Sequence, residues 1–343
     1  MIRLYRVIAH VGILFLVMLG HPASSSMALD NEVTVGYQLS YAPWEVAIQA
    51  RAFEESTGYR IDWRRFDSGA KVVSAMVLGD VQIALLGSAP IAGAISQGVA
   101  MRLFWIIADI SESEALIVRN ASGITSWQGL IGKTIAVPFF STSHFSLAVA
   151  FERFGIDINN VNIINLQPFS IVSAWQRGDI DAAFIWNPVL ALLKESGKVL
   201  VTAGELNSST DKLTFDGLVV QPEFAEMHPE FMAQFVKIIA EADESYRSNP
   251  AAWTPDSPMV KTMVDMVGGN SRDVPRALAT NRFPSLQEQA SCVWLGCGND
   301  GGAARSLRAT AEFLLAHGQV DQVPGEFSQF VTSKYVDAAL GME

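Results

Sequence analysis

The sequence predicts an α/β protein built as two lobes with mostly parallel sheets. Short apolar runs of strand character alternate with amphipathic runs along most of the chain, the pattern that folds into helix-flanked sheets. Of the 343 residues, about 315 follow an N-terminal leader, more than one core comfortably serves. A helix, Gly-Asp, strand unit also occurs twice, as Gly79-Asp80-Val-Gln-Ile-Ala84 and as Gly178-Asp179-Ile-Asp-Ala-Ala183.

The leader spans residues 1–28. Arg3 and Arg6 precede the apolar run Val11–Leu19, and small residues end at Ser26-Met27-Ala28, the three parts of a cleavable signal peptide. The apolar run is too short to span a bilayer, and no cysteine stands near the cleavage site for lipid attachment. Export to the periplasm is the expectation. Removing the leader leaves 22 basic against 35 acidic residues, a net charge of −13. That balance argues against nucleic acid or an anionic membrane surface as partner. An acidic protein that captures an anion must do so with local dipoles and hydrogen bonds.

The expected strands, in order, are Val33–Tyr37, Ile61–Trp63, Ile83–Leu86, Leu103–Ile107, Ala115–Val118, Thr134–Val137, Val161–Ile164, Ala182–Ile185 and Leu218–Val220. Helices are expected at Trp44–Thr57, Ala70–Leu78, Ser143–Phe154 and Ile171–Arg177. From about Pro222 the chain turns helical, with Phe231, Phe235, Ile238 and Ile239 at core spacing. This tail is expected to pack on the first lobe and cover its edge. Cys292 and Cys297 are the only cysteines; in an oxidising compartment their close spacing predicts a local disulfide. With only His144, His228 and His317 beyond the leader, none close in sequence, no metal site is expected.

The stretch from Thr134 to Phe154 reads as a strand, a hydroxyl-rich turn and a helix start. Ser141, Thr142 and Ser143 fall where the first helical turn leaves N–H groups without partners, so amides, hydroxyls and the helix dipole converge on an anion. The repeated Gly-Asp units lead into strands that stop at Gly87-Ser88 and at Trp186. Ligands of open α/β sheets sit beyond the carboxyl ends of strands, so Ser88 and Trp186 should face one cleft from opposite sides. Gln38, Asp67 with Ser68 and Gly69, Glu114 and Asp216 fall at strand ends of the same kind. Hydroxyl and amide donors at one end, Glu114 or Asp216 at the other and Trp186 as an apolar or cation–π wall describe a site for a zwitterion.

Other motifs do not survive inspection. Gly129 to Thr134 lacks the first glycine of a phosphate loop, because position 127 is Trp, and a strand follows where a helix is required. Ala94-Ile-Ser96-Gln-Gly98 ends a helical run, where Gly98 serves as its stop. Ser143 and His144 are adjacent on a helix and point in different directions. Arg64 and Arg65, between Trp63 and Phe66, read as surface residues on a strand edge.

Ile61–Gly69, Gly79–Ala84 with Leu86–Pro90, Ser113–Val118, Ile131–Pro138 with Ser141–Ser146, Asn165–Pro168, Ala174–Asp181 and Phe327–Lys334 together resemble the taurine-binding periplasmic protein family of ABC importers, in matching order over most of the chain. The resemblance implies a two-lobed type II periplasmic binding protein of mixed sheets flanked by helices, with the ligand in the interlobe cleft. Its lobes would comprise residues 29–114 with 216–343 and residues 115–215. It implies a non-enzymatic, monomeric receptor without cofactor that closes on taurine and delivers it to the membrane permease. The family-like sulfonate positions are Gln38, Ser68, Gly69, Ser88, Ser141, Thr142 and Ser143; the amine end falls to Glu114 and Asp216. Two departures stand out: Gly217 where the family commonly has an aromatic, which would enlarge the amine end, and the segment from Cys292 to Gly302. Isethionate, a longer alkanesulfonate or a sulfate ester is the competing ligand class. A sensory module presenting its ligand to a receptor competes with transport, and a thiamine-pyrimidine synthase, which shares the general fold, is the competing enzyme.

Overall fold

The computed structural model describes residues 31–207 and 213–342; the predicted leader lies outside the described residues. Ten strands are found: β1 (Glu32–Tyr37), β2 (Arg60–Arg65), β3 (Ile83–Gly87), β4 (Arg102–Asp109), β5 (Glu114–Arg119), β6 (Thr134–Val137), β7 (Asn162–Asn165), β8 (Ala182–Trp186), β9 (Gly197–Thr202) and β10 (Phe215–Val220). They form two five-stranded sheets, ordered β2-β1-β3-β10-β4 and β7-β6-β8-β5-β9.

Both sheets follow one plan. Three parallel strands are followed by a reversed strand, β10 in the first and β5 in the second, which pairs antiparallel on both sides. The sheets are therefore mixed, as the family resemblance implied, with one reversed strand in each. The reversal positions the site: a reversed strand begins where its parallel neighbours end. Glu114, the first residue of β5, lies opposite Trp186 at the end of β8, and Asp216 of β10 lies opposite Gly87 at the end of β3.

Side-chain alternation builds the second core. Leu116, Val118, Ile135, Val137, Ala182 and Phe184 point to the face covered by the helix Thr142–Phe154. Ala115, Ile117, Ala136, Ala183 and Ile185 point to the opposite face, under the helices Pro168–Arg177 and Val189–Lys194, the period of two that strands impose. The first sheet is buried among the helical tail, with Phe235 against Phe53 and Trp63 and Phe104 against Tyr335. The helix Gly302–Ala316 reaches further than an edge cover, since Phe313 packs on Phe145 at the second sheet.

The expected helix Trp44–Thr57 is two helices, Trp44–Gln49 and Ala52–Thr57, because Arg51 takes a left-handed conformation with φ 57°. β9 went unpredicted. Cys292 and Cys297 form a disulfide, with Cα atoms 5.0 Å apart, in the turn that carries the buried Trp294 onto Phe215, next to Asp216.

Candidate ligand-binding cleft

A small cavity of about 50 Å³ lies where the carboxyl ends of both sheets meet. On this scale a water needs about 10–15 Å³, so the space suits a solute of a few heavy atoms. Gln38, Ser40, Gly69, Gly87, Glu114, Thr142, Trp186, Asp216 and Asn281 are among its lining residues.

Three helices begin at its wall: Gly69–Val77, Ser88–Ser96 and Thr142–Phe154. Each presents first-turn N–H groups without intrahelical partners and the positive end of its dipole, and together they make an anion cradle with no formal cation. Among the described residues no Lys or Arg lines the cavity; Arg64 pairs with Asp62 at 2.6 Å on the exposed edge strand β2. Close approach here depends on glycine, since a Cβ on Gly87 would meet Thr142 Cγ2 at 2.7 Å and one on Gly69 would meet Pro90 Cγ at 3.1 Å.

Of the hydroxyl residues, Ser141 and Thr142 line the cavity. Ser141 caps its helix by accepting from His144 N at 3.1 Å and donates to Pro138 O at 2.6 Å, so its hydroxyl shapes the turn. Thr142 donates to Glu114 Oε1. Ser68, Ser88 and Ser143 are buried but are not among the lining residues. Ser68 precedes the first helix, Ser88 bridges Leu213 O and Phe215 N at the start of β10, and Ser143 turns its hydroxyl toward the Glu114 carboxyl. Gln38 lines the cavity and donates to Leu85 O at 3.0 Å.

The acids stand beside the cradle rather than at a far end. Loss of water pushes Glu114 up to about 8, reinforced by the charge of Asp216 and opposed by the Thr142 hydroxyl. Burial pushes Asp216 up to about 7. Two carboxyls held this way accept a cation readily and expel protons when it arrives.

A bulge aims Asp216. Asp216 pairs with Ala108 but Gly217 pairs with Ile106, so β4 carries one extra residue, Ile107. The backbone N–H and C=O of Ile106 are taken by the buried Gln289 side chain at 3.0 and 2.6 Å. Gly217 faces away from the cavity: a Cβ there would collide with Leu103 Cδ1. The expected enlargement of the amine end does not occur, because side chains alternate along β10 and the space beside Gly217 belongs to the core.

Trp186 closes the cavity by donating its indole N–H to Leu39 O at 2.9 Å, linking the second sheet to the loop after β1. Ser40, Tyr41, Ser113, Asn187 and Asn281 also line the cavity and were missed in the sequence. Most lie in loops, with no strand-end pattern to mark them; Ser40 and Tyr41 stand just beyond Gln38, the only nearby signal.

A model of the NMT1-like family matches residues 28–253. The taurine-binding periplasmic protein of Escherichia coli K12 is 40% identical over 304 residues, covering 89% of this chain and 92% of that protein. The chain belongs to the NMT1-like family. A putative aliphatic sulfonates-binding protein of Bacillus subtilis is 30% identical over 217 residues, 62% of this NMT1-like chain and 64% of the relative. The fold is shared with the alkanesulfonate-binding protein SsuA of Xanthomonas axonopodis pv. citri, solved with MOPS, at a TM-score of 0.70 and 20% identity over 84% of this chain and 94% of that one. The SsuA structure from Escherichia coli gives the same TM-score at 19% identity over 89% and 99% of the two chains. This is the periplasmic-binding-protein fold. Among the described residues of the NMT1-like protein, no helix is long and apolar enough to cross a membrane.

Proposed function

We propose that this NMT1-like protein is a periplasmic receptor that captures taurine and presents it to the permease of an ABC importer. The carrying observation is the pairing, in one small cavity, of a three-helix anion cradle with two carboxyls, the buried Glu114 and the half-buried Asp216. Taurine has one sulfonate and one ammonium two carbons apart, and both can be met at once where cradle and acids adjoin. The full-length relative named for taurine binding supports the reading, as does the cavity's small size. A receptor role without catalysis agrees with relatives named as binding proteins.

In this reading the sulfonate lies against the first turns at Gly69, Ser88 and Thr142, with Gln38 beside it, and the ammonium lies between Glu114 and Asp216. Residues 29–114 with 216–343 form one lobe and residues 115–215 the other. The crossover segments near Glu114 and Asp216 serve as hinge. Ligand favours the closed form because it touches both lobes together. Export through a cleaved leader and a monomeric state complete the proposal.

Calorimetric titration of the mature protein with taurine, isethionate, hexanesulfonate and sulfate tests it. Taurine is expected to bind at least about tenfold more tightly than isethionate, one hydrogen-bonded charge being worth about 1.5–3 kcal/mol. Equal affinity for the two, or preference for hexanesulfonate, would reject the zwitterion site.

A further inference from the structure

Burial of polar atoms in the cleft leaves two lining residues besides Glu114 with an unpartnered atom, Asn281 and Ser40, and of these only Asn281 presents a pure acceptor. Asn281 lies on the segment after the helix Val274–Leu278, and its neighbour Arg282 exchanges backbone hydrogen bonds with Asp109 at the end of β4. The Asn281 backbone is thus fixed against the first sheet. Its side-chain Nδ2 donates to Tyr41 O at 3.1 Å. A carbonyl oxygen only accepts, so the NH₂ group must face Tyr41 and Oδ1 must face the other way. Asn281 lines the cavity, yet its Oδ1 is buried with no hydrogen-bond partner among the described residues.

Two more lining residues carry atoms in the same condition, Glu114 Oε2 and Ser40 Oγ. All three can accept a hydrogen bond. Ser40 Oγ can also donate, but Asn281 Oδ1 can only accept, and such an acceptor facing a sulfonate is repulsive. A hydroxyl offers one donor. A primary ammonium offers three in a tetrahedral arrangement, and the two carboxyls alone come from only two chain segments.

Building on the zwitterion reading above, we infer that Asn281 is a specificity determinant whose Oδ1 accepts one N–H of the ligand's ammonium, as the neutral third acceptor beside Glu114 and Asp216. Its second bond, to Tyr41 O, holds the amide in the orientation this role requires. A neutral acceptor adds a directional requirement without adding a third negative charge to a site already crowded with two. It favours a primary amine over a hydroxyl or a methyl group at the same place.

The test is the ratio of taurine to ethanesulfonate affinity, measured calorimetrically on the mature protein and on Asn281→Ala and Asn281→Asp. Loss of a charge-assisted hydrogen bond predicts that Asn281→Ala weakens taurine about tenfold and ethanesulfonate less than twofold, narrowing the ratio. Asn281→Asp keeps the acceptor but turns a second oxygen toward Tyr41 O and adds a third carboxyl, so its ratio should stay within about threefold of the unmodified protein's and well above that of Asn281→Ala. Equal losses for both ligands in Asn281→Ala would reduce Asn281 to a loop anchor and overturn the inference while leaving the taurine reading intact. Should Asn281→Ala fail to give a cooperative thermal melt, the Asp variant decides alone: a ratio kept within about threefold of the unmodified protein's supports the role, and one narrowed about tenfold overturns it. Absence of taurine binding by the unmodified protein would overturn the functional reading and this assignment together.

Discussion

The indole N–H of Trp186 donates to the carbonyl of Leu39 at 2.9 Å, so the last residue of β8 in the second sheet is tied to the loop that follows β1 in the first. The bond joins two residues that line the cleft, and in the proposed lobe closure its energy belongs to the closed form. Replacing Trp186 with Phe removes the donor and keeps most of the ring. Loss of about 1 kcal/mol from closure predicts a roughly fivefold weaker affinity for taurine and isethionate alike. Calorimetry with both ligands checks this; a loss confined to taurine would instead place the indole on the ammonium.

Asp216 separates the ligands. Asp216→Asn keeps the shape and removes the charge, and the loss of a desolvated charge pair costs about 2 kcal/mol, a drop of roughly 30-fold for taurine. Isethionate should change by less than threefold. Equal loss for both, read by the same titration, would remove Asp216 from the ammonium.

Proton linkage gives opposite slopes for two ligands. Glu114 titrates near 8 and Asp216 near 7 in the folded protein, raised above their usual values of 4.5 and 3.8 by burial. Taurine's ammonium needs the ionised forms, so its affinity should rise from pH 6 to pH 8.5, by up to about tenfold per unit for each proton displaced. Ethanesulfonate needs the neutral forms and should weaken over the same interval. Groups raised in the folded state stabilise it fully below their unfolded values and lose that contribution as pH climbs through their folded ones. The melting temperature of the ligand-free protein should therefore fall between pH 6 and pH 9. Glu45 and Asp243, buried carboxyls raised well above the usual range by loss of water, push in the same direction. Parallel slopes for the two ligands would show that the carboxyls do not face the amine.

Gln289 holds the bulge that directs Asp216, through both backbone groups of Ile106. Gln289→Leu fills the volume and leaves a buried N–H and a buried C=O unpaired, at about 1–3 kcal/mol each. Denaturant unfolding should show a loss of roughly 3 kcal/mol. A stable variant would mean that the backbone at Ile106 finds other partners.

The Cys292–Cys297 bond closes a short loop, for which chain entropy gives about 2 kcal/mol. Paired Cys292→Ser and Cys297→Ser replacement should lower the melting temperature by several degrees. Taurine affinity should remain within about threefold at 25 °C, because the loop supports Trp294 behind β10 and does not line the cavity.

Much of this was legible in the sequence, for local reasons. Nine of the strands follow from runs such as Thr134–Val137, whose bounds match, and the repeated Gly-Asp turns mark real helix ends, with Gly79 at φ 81° and Gly178 at φ 80°. The strand-end rule brought Glu114, Trp186, Asp216, Gln38, Gly69 and Thr142 to one cavity. It failed for Ser68, Ser88 and Ser143, which are buried beside the cavity without lining it: at a helix start the side chain can turn to other partners, Leu213 O and Phe215 N for Ser88 and Glu114 for Ser143. Gly217 misled because its neighbour Asp216 occupies the cleft face of the strand, leaving Gly217 the opposite one. Gln289 and Asn281 were invisible for a different reason. Their partners, Ile106 and Tyr41, lie 183 and 240 residues away, and no local pattern records such a contact.

A crystal structure of the mature protein with taurine tests the central claim most directly. The account predicts the sulfonate oxygens against the first-turn amides at Gly69, Ser88 and Thr142, and the amine nitrogen within hydrogen-bond distance of both Glu114 and Asp216. A reversed ligand, or an amine held away from both carboxyls, would contradict it.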